Sequence, residues 1–133
     1  MQNTLKISFK FIVLALVLAS CGSNEGKVEY KRTYHRNGKV HEVIPIVNGR
    51  IHGIKYEYYE DGALRLETPY DSGYVYGNVR YFYPDGKLYS ETPRVKGKIH
   101  GVVKKYHQNG VLLSETPYEE DILKVGLKEY DNR

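Results

Sequence analysis

The chain has 133 residues, 20 basic against 16 acidic side chains, and a single cysteine. That length suits one domain, and one cysteine excludes an internal disulfide framework. The pI is near 9.0, but the charges are interspersed and form no long basic block, which excludes the usual footprint of a nucleic-acid binder.

Residues 1–20 read as a leader. Lys6 and Lys10 supply a positive start, and no acidic residue precedes Glu25. The apolar run from Phe11 to Ala19 is shorter than the ~20 residues of a membrane-spanning helix but suits a cleavable signal peptide. The junction Leu18-Ala19-Ser20-Cys21 has an aliphatic residue, two small residues and a cysteine. It resembles the bacterial lipobox, and that resemblance implies cleavage before Cys21 and acylation of its sulfur and new amino group. An ordinary secretory signal that cuts near a cysteine is the alternative. Two or three acyl chains hold a protein firmly at a membrane, where one gives only marginal binding. The predicted address is therefore the bacterial cell envelope. With Gly22 rather than Asp after the cysteine, it is the outer membrane in a host with two. Losing Lys6 and Lys10 leaves 18 basic against 16 acidic residues. Residues 21–30 are polar and glycine-containing, and are expected to be a flexible, lipidated tether.

From residue 31 to 133 a period of 24 dominates. Gly38, Gly62, Gly86 and Gly110 keep that interval, as do Pro45, Pro69, Pro93 and Pro117. So do Gly53, Gly77 and Gly101, and Gly49, Gly73 and Gly97. An aromatic column runs Tyr34, Tyr58, Phe82, Tyr106 and Tyr130, and an aliphatic column runs Val40, Leu64, Leu88 and Leu112. Asn37-Gly38, Asp61-Gly62, Asp85-Gly86 and Asn109-Gly110 are hairpin turn signals, because glycine and Asx accept positive φ cheaply. An aromatic-rich strand precedes each turn and a second strand follows it. A further glycine-bearing turn leads to the next unit. No segment after the leader has a helical period. The predicted fold is all-β: a single-layer antiparallel meander of tandem 24-residue hairpins. The last unit has an extra residue before Gly126 and lacks the first turn glycine, as a capping repeat would.

Glu-Thr-Pro recurs at residues 67–69, 91–93 and 115–117. Proline has no N–H for a ladder and is confined to edges, ends and bulges, so the triplet is expected to be a strand ending. Glu67, Glu91 and Glu115 would then project toward water or a basic neighbour such as Arg65 or Lys87. Equivalent glutamates two strands apart lie ~9.6 Å from each other, close to the carboxylate spacing of an inverting glycosidase. A catalytic pair, however, needs two different environments, and repeat-equivalent positions on an open sheet supply the opposite.

His52 and His100 are four strands apart, ~19 Å, too far for one metal ion. His35 and His107 share another column, and His41 has only Glu42 nearby. No metal or cofactor is expected, and neither is catalysis. The 14 tyrosines are rigid amphipathic rings that suit an interface or simply cover a sheet that has no second layer.

The segments "YYEDGAL", "FYPDGKL" and "YHQNGVL", followed by "GRIHG", "GYVYG" and "GKIHG", resemble the MORN repeat variant family over about residues 34–130. YwqK-type proteins, described as antitoxin components, carry this same repeat. Together with the lipobox at Cys21, the resemblance implies a membrane-anchored, non-enzymatic protein-interaction module with an antitoxin- or immunity-like role toward an unidentified protein partner. The alternative is a structural envelope lipoprotein that binds cell-wall or surface glycan. Oligomeric state and the binding face are left open.

Overall fold

The computed structural model describes residues 26–131. The leader 1–20, the lipidation residue Cys21 and residues 22–25 of the tether lie outside them. Thirteen strands form one open sheet among the described residues, with no helix. Eight carry the meander: β1 (Val28–Tyr34), β2 (Val40–Val47), β4 (Gly53–Tyr58), β5 (Leu64–Asp71), β7 (Gly77–Phe82), β8 (Leu88–Val95), β10 (Gly101–Tyr106) and β11 (Leu112–Glu119). The short pieces β3 (Arg50–Ile51), β6 (Tyr74–Val75), β9 (Lys98–Ile99) and β12 (Ile122–Leu123) each pair with the strand before them. β13 (Lys128–Glu129) returns to β11. Every pairing is antiparallel between near neighbours in the chain, as the 24-residue period requires.

The two turns of each unit differ. Asn37-Gly38 and its equivalents close a type I turn followed by a left-handed glycine: Gly38 N–H donates to His35 O and His35 N–H to Lys39 O. Only the glycine has positive φ there, +83° at Gly38. The Asx side chain instead accepts the N–H two residues on, as Asn37 Oδ1 does from Lys39. The turns with positive φ at both central residues are the other set: Asn48-Gly49, Ser72-Gly73, Lys96-Gly97 and Glu120-Asp121. The terminal unit thus makes its turn without glycine. Asp121 assists by accepting the Ile99 N–H at 2.7 Å.

Two expectations need correction. β1 begins at Val28, so residues 28–30 belong to the sheet and not the tether; Val28, Glu29 and Tyr30 pair with Val47, Ile46 and Pro45. Glu-Thr-Pro also does not end its strand, since β5, β8 and β11 run past the proline to Asp71, Val95 and Glu119. The missing N–H is accommodated on one side only. Toward the preceding strand, pairing continues through Ile54↔Pro69, Asn78↔Pro93 and Val102↔Pro117. On the other side the prolyl carbonyl accepts one N–H, as Pro69 O does from Tyr76, and pairing then breaks before the next long strand. Gly53, Gly77 and Gly101 fill that break at φ of +104°, +112° and +120°. A Cβ on them would lie 3.5, 3.2 and 3.0 Å from the Cγ of Pro45, Pro69 and Pro93. These glycines are needed twice over, for their backbone and for their lack of a side chain.

With a single layer there is no enclosed core among the described residues. Pro45, Thr68, Val103 and Ser114 are the buried residues among those described, and cross-strand pairs therefore carry the stability. Consecutive hairpins are also stitched along both margins. Tyr59 and Tyr83 hydroxyls donate to Phe82 O and Tyr106 O, and His35 Nε2 donates to Tyr58 O. At the opposite margin Gly73, Gly97 and Asp121 N–H groups reach Ile51 O, Val75 O and Ile99 O.

Candidate interaction surfaces

The strand register sorts the repeated columns onto two faces, because residues directly opposite share a face and alternate residues change it. One face carries three rows. Its first row pairs Tyr30, Ile54, Asn78 and Val102 with Pro45, Pro69, Pro93 and Pro117. Its third row pairs the aromatic with the aliphatic column: Tyr34↔Val40, Tyr58↔Leu64, Phe82↔Leu88 and Tyr106↔Leu112.

Between them lies a row of charge. Glu67, Arg80, Glu91, Lys104, Glu115 and Lys128 are consecutive cross-strand partners from β5 to β13. Sign alternates at every step. Arg80 lies 3.6 Å from Glu67 and 3.1 Å from Glu91, and Lys104 lies 3.7 Å from Glu115. Glu91 and Glu115 also accept the hydroxyls of Tyr106 and Tyr130 at 3.4 and 3.0 Å. Phe82 holds the corresponding place for Glu67 and has no hydroxyl. The basic neighbours expected from sequence, Arg65 and Lys87, are therefore not those found: Arg65 binds Glu57, and Lys87 sits by Asp85. The repeated glutamates share partners instead of standing in separate environments. Salt bridging to Glu91, aided by Glu67, holds Arg80 above its usual range.

The opposite face carries the threonines. Thr68, Thr92 and Thr116 lie across from Lys55, Val79 and Val103. Glu-Thr-Pro thus sends its first and third side chains to one face and its second to the other. This face also holds a charged cluster at the N-terminal end. Lys55 Nζ bridges Glu42 at 2.7 Å and Glu57 at 3.1 Å, and Arg65 binds Glu57 from the other side. The hydrogen bond from Lys55 lowers the Glu42 pKa. Burial works to raise Glu57, but Arg65 and Lys55 outweigh it and hold that carboxyl low. Tyr89 makes edge-on contacts with Tyr81 and Tyr83, at centroid distances of 5.9 and 5.1 Å.

The histidines separate as the period requires. His35 and His41 rings meet at 4.5 Å, a proximity the sequence did not reveal because the strand bulge at Thr33/Tyr34 creates it. His52 stands at a turn, its Nδ1 3.4 Å from both the Ser72 N–H and Asp71. The turn glycines Gly38, Gly62, Gly86 and Gly110 all have positive φ, with nothing within 4 Å of a Cβ at Gly38, Gly86 or Gly110. They are structural, as are Gly53, Gly77 and Gly101.

Residues 51–72, 76–96 and 99–120 match the MORN repeat variant family, and these segments fall one on each successive hairpin. Repeats of this kind are generally protein- and membrane-interaction modules. No curated protein and no solved structure matches the chain.

Proposed function

We propose that this chain, which carries three tandem MORN variant repeats, works by binding and not by catalysis, as an interaction module tethered to a bacterial envelope through acylated Cys21. The observation that carries this reading is the open single-layer sheet: both faces meet solvent, one with glutamates, prolines, aromatics and aliphatics at regular intervals and the other with threonines. Arrays of that kind suit a broad protein contact, where aromatic and arginine side chains contribute most. The rings of Tyr81, Tyr83 and Tyr89, in edge-on contact on the threonine face, provide rigid contact area with little entropy to lose. Within this reading the partner is an envelope or secreted protein that the chain holds or neutralises, in the manner of an immunity protein. The test is affinity capture from the native envelope with the lipidated protein as bait. A single protein recovered in stoichiometric yield, and lost with Tyr81→Ala or Tyr89→Ala on the threonine face, is the expected result.

A second reading rests on Tyr74 and Tyr76, exposed at 64% and 51%. Exposed rings offer flat platforms for stacking, and envelope polysaccharide is the ligand in that case. Retention on purified polysaccharide that is lost in Tyr74→Ala/Tyr76→Ala favours it over the protein partner.

A further inference from the structure

We infer that the charge-ladder face binds a second copy of the same chain, forming a face-to-face dimer about a two-fold axis that runs along the strands between β8 and β10. This goes beyond the envelope-tether reading and does not depend on it. A two-fold contact places one patch against itself, so the patch must be self-complementary. An axis along the strands keeps each row at its own height and reverses its order. The ladder reads minus, plus, minus, plus, minus, plus from Glu67 to Lys128. Reversal sets Glu67 against the second copy's Lys128, Arg80 against its Glu115, and Glu91 against its Lys104. Every position meets the opposite sign, because the row has an even number of members and alternates without a fault.

The flanking rows agree. Reversal of the aromatic and aliphatic row sets Phe82 against Leu112 and Leu88 against Tyr106 of the second copy, ring on aliphatic at each place. In the proline row Pro93 meets Val102 and Asn78 meets Pro117. Any other registration of the two copies by one strand puts like charges opposite, which costs binding and excludes that register. The ladder is accessible for such a contact, with Arg80 48% and Lys104 43% exposed along their side chains. Six strands at about 4.8 Å and three rows give a footprint of roughly 600 Å² per copy, on the order of 1,200 Å² in all, at the lower end of specific interfaces. Aligned sheet packing tolerates the modest crossing angle that twist imposes.

Charge reversal tests the geometry, since facing sheets stand ~10 Å apart, too far for a disulfide. The full chain with Cys21→Ser, purified in mild detergent, should sediment as a dimer at low salt, and dimerisation should weaken several-fold in 1 M salt, where screening reaches ~3 Å. Arg80→Glu sets like charge against Glu115 of the second copy, and Glu115→Arg sets like charge against its Arg80, so each single variant should weaken dimerisation about tenfold or more. Arg80→Glu/Glu115→Arg restores opposite signs across the axis and should recover the dimer. Lys105→Glu, on the threonine face, should leave dimerisation unchanged. A monomer at low salt with native circular dichroism overturns the inference. So does a dimer weakened equally by Lys105→Glu, or one that the double variant fails to restore while its circular dichroism stays native.

Discussion

Replacing Gly101 by alanine tests the double requirement at the proline break. At φ of +120° any L side chain is strained, by about 1–3 kcal/mol. The new Cβ would also stand 3.0 Å from Pro93 Cγ and 3.4 Å from its Cβ, so the ring must yield by a few tenths of an ångström. Overpacking of this kind costs about 1 kcal/mol or more, giving roughly 2–4 kcal/mol in total. Gly86 is the internal control: its φ is +85° and nothing lies within 4 Å, so alanine there meets the backbone term alone. Gly77, Gly53 and Gly126 should fall between them in that order, since their contacts loosen from 3.2 to 3.5 to 3.9 Å. Urea titration followed by far-ultraviolet circular dichroism measures each loss, and thermal melts should shift by about 4–8 °C per kcal/mol for a domain of this size. Pro93→Ala in the Gly101→Ala background should recover about 1 kcal/mol as a non-additive term. Gly101→Ala no worse than Gly86→Ala, or an additive cycle with Pro93→Ala, would refute the close-approach argument.

Gly86→Val should destabilise by about 1–3 kcal/mol through backbone strain alone, read from the urea midpoint. Glu67→Gln, Glu91→Gln and Glu115→Gln should each change stability by about 0.5 kcal/mol or less, and the first two should be non-additive because both carboxylates meet Arg80. Glu42 and Glu57 have folded pKa values below their ordinary 4.5. Their stabilisation is full above that value and lost as pH falls through the lower folded one, so Lys55→Met should flatten the acid limb of a stability–pH curve measured by urea midpoints. Cys21→Ser should abolish incorporation of labelled fatty acid, and label still entering that variant would remove the basis of the proposed anchor.

The architecture was legible because one hairpin was written several times over. Glycines, prolines, aromatics and aliphatics held one register, and the aromatic and aliphatic columns proved to be cross-strand partners. What a period cannot show is which strands lie opposite which. The charged ladder draws Arg80, Lys104 and Lys128 from strands preceding each glutamate or following it, and only the pairing register brings them into line. Proline misled for a related reason. Its missing N–H was read as the end of a strand, whereas a strand in a sheet has two edges and the ring disturbs one. The true double-left-handed turns were obscured because Ser72, Lys96, Glu120 and Asp121 carry no turn signature as strong as Asn-Gly. The start of β1 was hidden by composition, since an edge strand exposed on most of its length looks as polar as a linker.

The antiparallel meander sets how the protein answers a pull. β1 and β13 lie toward opposite ends of the sheet, so tension applied through the chain termini acts across the strands and not along them. Backbone hydrogen bonds then fail one after another as in a zipper, instead of sharing the load as they would in shear. Each hairpin drawn off releases 24 residues, about 80 Å of extended chain, while the next stays folded behind its own turn and margin bonds. The sheet would yield at low force in equal steps, lengthening many times its width before it is spent, and would close again hairpin by hairpin once the load is gone.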